Sequence, residues 1–114
     1  MTMPEKEPRP LTGRQLLALR GLARTPPFAF TSWRRGMAAG CEWLATQLRE
    51  HEQDPDALQE LLLERWRSGI EWGSRSDAPR SRFAGGFDAI LDDVAAIVQG
   101  DKITIDRLAG IVRP

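Results

Sequence analysis

The chain has 114 residues and equal numbers of acidic and basic side chains, so its formal net charge is zero. Zero net charge weighs against electrostatic binding of nucleic acid, which requires an excess of basic groups to displace phosphate counterions. A single histidine (His51) and a single cysteine (Cys41) are too few for the usual nucleophile and base pairs or for a zinc centre. The composition therefore predicts one soluble domain without a catalytic residue, metal or cofactor.

The first ten residues hold Glu5, Lys6, Glu7 and three prolines, and no apolar run. This predicts a disordered N-terminal tail at 1–10, and neither a signal peptide nor a membrane anchor. The lone Cys41 excludes an internal disulfide, and its place in an apolar helical pattern predicts a buried thiol and a cytoplasmic location. Residues 11–114 are expected to form one domain.

The first helix is predicted from Thr12 and Gln15, which have the spacing of a capping box, and from Leu11, which can pack back onto Leu16. The prolines at 26 and 27 must end it. The Phe28–Phe30 segment is predicted to be an apolar plug. A second helix then begins with Thr31 or Ser32 as cap and carries an apolar stripe of Trp33, Met37, Gly40, Cys41, Leu44 and Leu48.

Gly36 and Gly40 lie one turn apart on this helix and would let another backbone approach closely. The helix therefore has a tight-packing side and a surplus of apolar surface. Self-association as a homodimer is one prediction from this pattern.

A third helix should begin at Asp54-Pro55, where a capping carboxylate precedes a proline at the first helical position. It is expected to end at Trp72-Gly73 and to be followed by an exposed basic loop at 73–82. Two aliphatic-rich stripes identify the third and fourth helices: Leu58, Leu61, Leu62 and Trp66, then Phe83, Phe87, Ile90, Leu91, Val94 and Val98.

The Gly85-Gly86 pair predicts that the regular part of the fourth helix begins near Phe87, and Gly100 is expected to stop it. Thr104 is predicted to cap a short fifth helix ending at Pro114, with a weak alternative of a strand at 102–105. The fold class is therefore all-α, a compact bundle of four helices plus a short C-terminal helix.

Trp33 and Trp66 fit the apolar stripes and are predicted to be core residues, whereas Trp43 and Trp72 do not fit them well. A tryptophan outside the stripe and beside arginines is typical of an interface anchor. The predicted partner-binding residues are therefore Trp43, Trp72, Arg34, Arg35, Arg75, Arg80 and Arg82. The alternative is that these tryptophans cover the core of a small bundle.

Asp88, Asp92 and Asp93 lie away from the apolar stripe and predict a solvated acidic face, which an arginine-rich partner could contact. His51 closes the second helix, where a cation near the negative helix end is the ordinary explanation. The function predicted is that of a small non-catalytic protein-binding module, an adaptor, assembly factor or inhibitor of the kind common in phages and mobile elements. The alternative is a nucleic-acid-associated accessory protein that uses the arginine-rich loop.

Overall fold

A computed structural model describes residues 10–24, 30–75 and 82–110, with side chains described up to Ser68 in the third helix. The described residues form five helices and no strand: α1 Gly13–Leu22, α2 Ser32–Glu50, α3 Pro55–Arg75, α4 Arg82–Val98 and α5 Lys102–Ala109. The predicted all-α bundle with a short last helix is confirmed. None of these five helices is both long and apolar enough to cross a membrane.

Helix α4 lies at the centre of the fold, because it contacts each of the other four helices. Helices α1 and α5 also pack against each other. The buried core draws residues from every helix, with α4 contributing Ile90, Val94, Ile97 and Val98. A helix surrounded on several sides must be apolar around much of its circumference, and α4 has buried residues at seven of its seventeen positions.

Three predicted helix boundaries are confirmed by their capping contacts. Thr12 and Gln15 form the complete capping box of α1. The side chain of Thr31 accepts a hydrogen bond from the Arg34 amide at the start of α2. The Asp54 carboxylate accepts one from the Ala57 amide at the start of α3.

Other predicted boundaries were wrong. Helix α3 continues past Trp72-Gly73 to Arg75, and α4 already begins at Arg82, so residues at both ends of the expected 73–82 loop are helical. Asp101, rather than Thr104, caps α5: its carboxylate accepts from the Thr104 amide and hydroxyl. Helix α5 includes 102–105, which excludes the alternative strand there.

Gly85 and Gly86 do not delay α4, because they allow the close approach of α2. A Cβ on Gly86 would overlap the carbonyl oxygen of Trp33, and one on Gly36 would overlap the carbonyl oxygen of Phe83. One turn further on, a Cβ on Gly40 would lie 2.9 Å from the Cβ of Ile90. Helices α2 and α4 therefore run side by side in the same direction. The chain returns from the end of α2 to the start of α4 through α3.

The glycine face of α2 is thus occupied within the chain. This removes one of the two reasons for predicting a homodimer, the availability of a tight-packing side. Residues 1–9 of the predicted tail at 1–10 lie outside the described residues. The prolines at 26 and 27, Phe28, and the residues from 111 to Pro114 also lie outside them.

Candidate functional site

Three aromatic side chains are exposed where α2 and α4 begin. Phe30 has an exposed fraction of 79%, and Trp33 and Phe83 are each 45% exposed. Phe30 immediately precedes the Thr31 cap of α2, Trp33 lies in the first turn of α2, and Phe83 lies in the first turn of α4. We call these three residues the aromatic end.

The glycine contacts explain why Trp33 and Phe83 of the aromatic end lie next to each other. The backbones at Trp33 and Phe83 each lie against a glycine of the opposite helix, Gly86 and Gly36, so the two first turns are side by side. The indole ring of Trp33 lies over Gly85, where a Cβ would come within 2.7 Å of it. One part of the ring is covered by α4 and the rest faces outward.

Two of the predicted binding arginines lie next to these rings in sequence and are exposed. Arg34 follows Trp33, and Arg82 precedes Phe83. Arg35 is also exposed, and it has an interaction within the chain. The starts of α2 and α4 therefore carry exposed arginines as well as exposed rings. Guanidinium groups pair with carboxylates or stack on other planar groups.

The sequence prediction assigned the wrong tryptophan to the surface. Trp33 fits the apolar stripe of α2 but is half exposed, and Phe30 is exposed rather than an apolar plug. Burial of a stripe position requires a neighbouring helix that extends far enough to cover it, and spacing alone does not report that extent. The available signal was the position of all three aromatics at helix starts.

Trp43, predicted to bind a partner, instead packs against the core. Its ring lies 6.3 Å from that of Phe87 at a tilt of 54°. The guanidinium carbon of Arg65 lies 5.3 Å from the centre of the Phe87 ring, within the range of a cation–π contact. Trp43 thus covers the core, which was the alternative interpretation.

Trp66 is only partly buried, although the sequence predicted a core position. Its indole nitrogen donates a hydrogen bond of 3.2 Å to Asp92 on α4. This exposed hydrogen bond joins α3 to α4. The side chains of Trp72 and Arg75 and the whole of Arg80 lie outside the described residues, so their predicted role in binding stays a prediction.

The three aspartates of the predicted acidic face have contacts within the chain. Asp92 accepts from Trp66, Asp93 lies 3.8 Å from the Arg107 guanidinium, and Asp88 also has an interaction. Burial raises the pKa of Asp93, the charge of Asp92 raises it further, and Arg107 opposes both. These contacts leave the three carboxylates less available to an arginine-rich partner than a fully solvated face would be.

Cys41 and His51 occupy structural positions. The buried Cys41 thiol donates to the carbonyl of Leu22, at a sulfur–oxygen distance of 3.1 Å, and burial raises its pKa. A thiol with a raised pKa is a poor nucleophile at neutral pH. His51 caps α2, and its Nδ1 donates to the Gln47 carbonyl at 3.1 Å. Within the described residues, no group of three or more metal-binding side chains comes together.

Comparisons with protein-family models, curated proteins and solved structures found no significant match. The functional interpretation therefore depends on the exposed aromatic and arginine side chains themselves.

Proposed function

We propose that this chain is a small non-catalytic protein-binding module that contacts its partner through the aromatic end. The observation that carries the proposal is the exposure of Phe30, Trp33 and Phe83 at the adjacent starts of α2 and α4. Large aromatic side chains and arginines dominate binding energies at protein interfaces, and aromatic rings bury much area with little loss of rotamer freedom. Arg34 and Arg82 would border the contact and favour a partner with acidic residues around an apolar patch.

The proposal includes a cytoplasmic location and a role as an adaptor, assembly factor or inhibitor. The buried, reduced Cys41 supports the location, since a reducing compartment preserves free thiols. The role follows from the size of the surface, because three aromatics and two arginines are enough for a hot spot.

Affinity capture from an extract of the source organism, followed by direct titration of the captured protein, tests the proposal. Phe30→Ala and Phe83→Ala should each weaken binding by about tenfold or more, as expected for interface anchors. The matched control is Ile103→Ala, because Ile103 is 80% exposed but lies on α5. Equal affinity of all three variants and the unmodified chain would refute the proposal, provided that circular dichroism shows them folded.

Binding of single-stranded nucleic acid is the alternative function. The observation in its favour is the juxtaposition of exposed rings with Arg34 and Arg82, since bases stack on aromatics while arginines contact phosphates. A mobility-shift assay at 50 and 200 mM salt separates the two functions. Binding that weakens steeply with salt and is lost in Arg34→Gln would replace the protein-binding proposal.

A further inference from the structure

A cleft of about 350 Å³ opens between the C-terminal ends of α1 and α2. Its apolar lining consists of Ala23, Ala45 and Leu48, of which Ala23 and Leu48 also pack against the core. The volume lies within the range of small-molecule sites, which is about 300–1,000 Å³. The cleft lies at the opposite end of the nineteen-residue α2 from the aromatic end.

Four charged side chains complete the lining: Arg20, Arg24, Arg49 and Glu52. Arg20 and Arg24 are four residues apart along α1 and its end, while Arg49 comes from the last turn of α2. Among the described residues, no carboxylate forms an ion pair with any of these three arginines; Arg49 donates to the Thr46 hydroxyl at 3.4 Å. Three arginines therefore line one small cleft, and none of them forms an ion pair with Glu52 or with another described carboxylate.

The chemistry of the lining selects among anions. Guanidinium groups bind carboxylate and phosphate alike. The carbonyl ends of α1 and α2 and the carboxylate of Glu52 offset part of the positive charge of the three arginines. The apolar lining favours a ligand with a hydrocarbon body.

We propose that this cleft binds an organic monocarboxylate, with its apolar body on Ala23, Ala45 and Leu48 and its carboxylate held by the arginines. The site is distinct from the aromatic end, so the proposal does not depend on the proposed function.

Titration of the full chain with 4-phenylbutyrate, followed by amide and arginine Nε–H nuclear magnetic resonance, tests the proposal. We expect saturable shifts confined to 20–24 and 45–52, with a dissociation constant on the order of 1 mM for a ligand of this size. The uncharged 4-phenylbutanol and inorganic phosphate should each bind at least about fivefold more weakly. Equal binding of 4-phenylbutanol, or shifts without saturation, would overturn the proposal.

Exposed arginines are suitable for substitution, because their loss does not threaten the core. The double variant Arg20→Gln with Arg24→Gln should weaken 4-phenylbutyrate binding about fivefold or more. Arg67→Gln, an exposed position on α3 outside the cleft lining, is the matched control and should leave it unchanged. Glu52→Gln should strengthen it by about twofold. A loss of affinity in Arg67→Gln equal to that in the double variant would show nonspecific charge attraction and refute the site.

Discussion

The side chain of Gln15 connects two helices at opposite ends of the sequence. Its Oε1 accepts from the Thr12 amide at 2.7 Å, which completes the capping box of α1. Its Nε2 donates to the carbonyls of Ile97 and Val98, at 2.9 and 3.4 Å, where α4 ends. The amide group thus satisfies backbone groups at the start of α1 and at the end of α4. Only a side chain with both an acceptor and a donor can form both sets of hydrogen bonds.

Gln15→Glu separates these two tasks. It keeps an oxygen for Thr12 but replaces the donor with a carboxylate that faces two carbonyl oxygens. We expect the free energy of unfolding in urea at pH 7 to fall by about 1–2 kcal/mol, with partial recovery below pH 4 as the carboxyl gains a proton. Thr12→Ala, the control, should cost about 1 kcal/mol from lost capping. Unchanged stability of Gln15→Glu at pH 7 would show that the contact with α4 contributes nothing.

Asp93 provides the clearest pH dependence. Because its pKa is raised in the fold, mainly by burial, the folded chain holds the proton more tightly than the unfolded chain does. The stabilising effect of protonation is therefore complete below the ordinary value of 3.8 and is lost as pH rises through the higher pKa of the folded state.

Asp93→Asn removes this titration while keeping the shape of the side chain. We expect its melting temperature to exceed that of the unmodified chain at pH 7, and the difference to vanish near pH 3. Thermal melts followed by circular dichroism across this range test both expectations. A lower melting temperature for Asp93→Asn at pH 7 would mean that the Arg107 pairing outweighs the cost of burial.

At the scale of helices, the contact between α2 and α4 is the closest approach at any glycine in the described part of the chain. Gly36→Ala and Gly86→Ala should each lower the free energy of unfolding by about 1–3 kcal/mol, because the added Cβ meets a backbone oxygen that cannot rotate away. Gly13→Ala is the control, since nothing lies within 4 Å of its added Cβ, and it should be stabilising by about 0.4–1 kcal/mol. Urea titrations measure all three. An increase in the free energy of unfolding in Gly36→Ala would contradict the close contact between Gly36 and the Phe83 carbonyl.

Capping residues and apolar spacing predicted the helices well. A cap such as Thr12 or Asp54 forms hydrogen bonds only within the first turn of its own helix, so the local sequence is enough to identify it. These signals failed where a neighbouring helix decides the outcome. Gly85 and Gly86 disfavour a helix by themselves, but packing against α2 places them inside α4. The surface position of Trp33 likewise depends on how far α4 extends beside α2, which no spacing within α2 encodes.

Burial by neighbouring helices also limited how much of the candidate site could be predicted from the sequence. Trp43 departs from the apolar stripe of its own helix, yet Phe87 on α4 covers it. The exposed arginines at 34 and 82 were identified correctly as exposed, whereas the aromatic residues beside them were assigned to the core. Charge is a property of one side chain, but exposure of an aromatic ring is a property of the assembled helices.

Over the whole molecule, the central position of α4 implies cooperative unfolding. Every other helix contacts α4, so losing it removes part of the core from each of them. We expect urea unfolding monitored by circular dichroism and by tryptophan fluorescence to give the same midpoint, as in two-state domains of this size. Separate midpoints would show that one pair of helices, such as α1 and α5, unfolds independently of the rest.

The pairing of α1 with α5 also sets an order of events during synthesis. Arg14 bonds to Asp106, 92 residues later in the chain, and Gln15 bonds to Ile97, 82 residues later. At ribosomal rates of about 5–20 residues per second, α1 waits roughly 5–20 s for α5 to be made. During that interval the leucines of α1 are not covered by α5. The nascent chain therefore exposes apolar side chains that are buried in the folded protein, and chaperones can bind them.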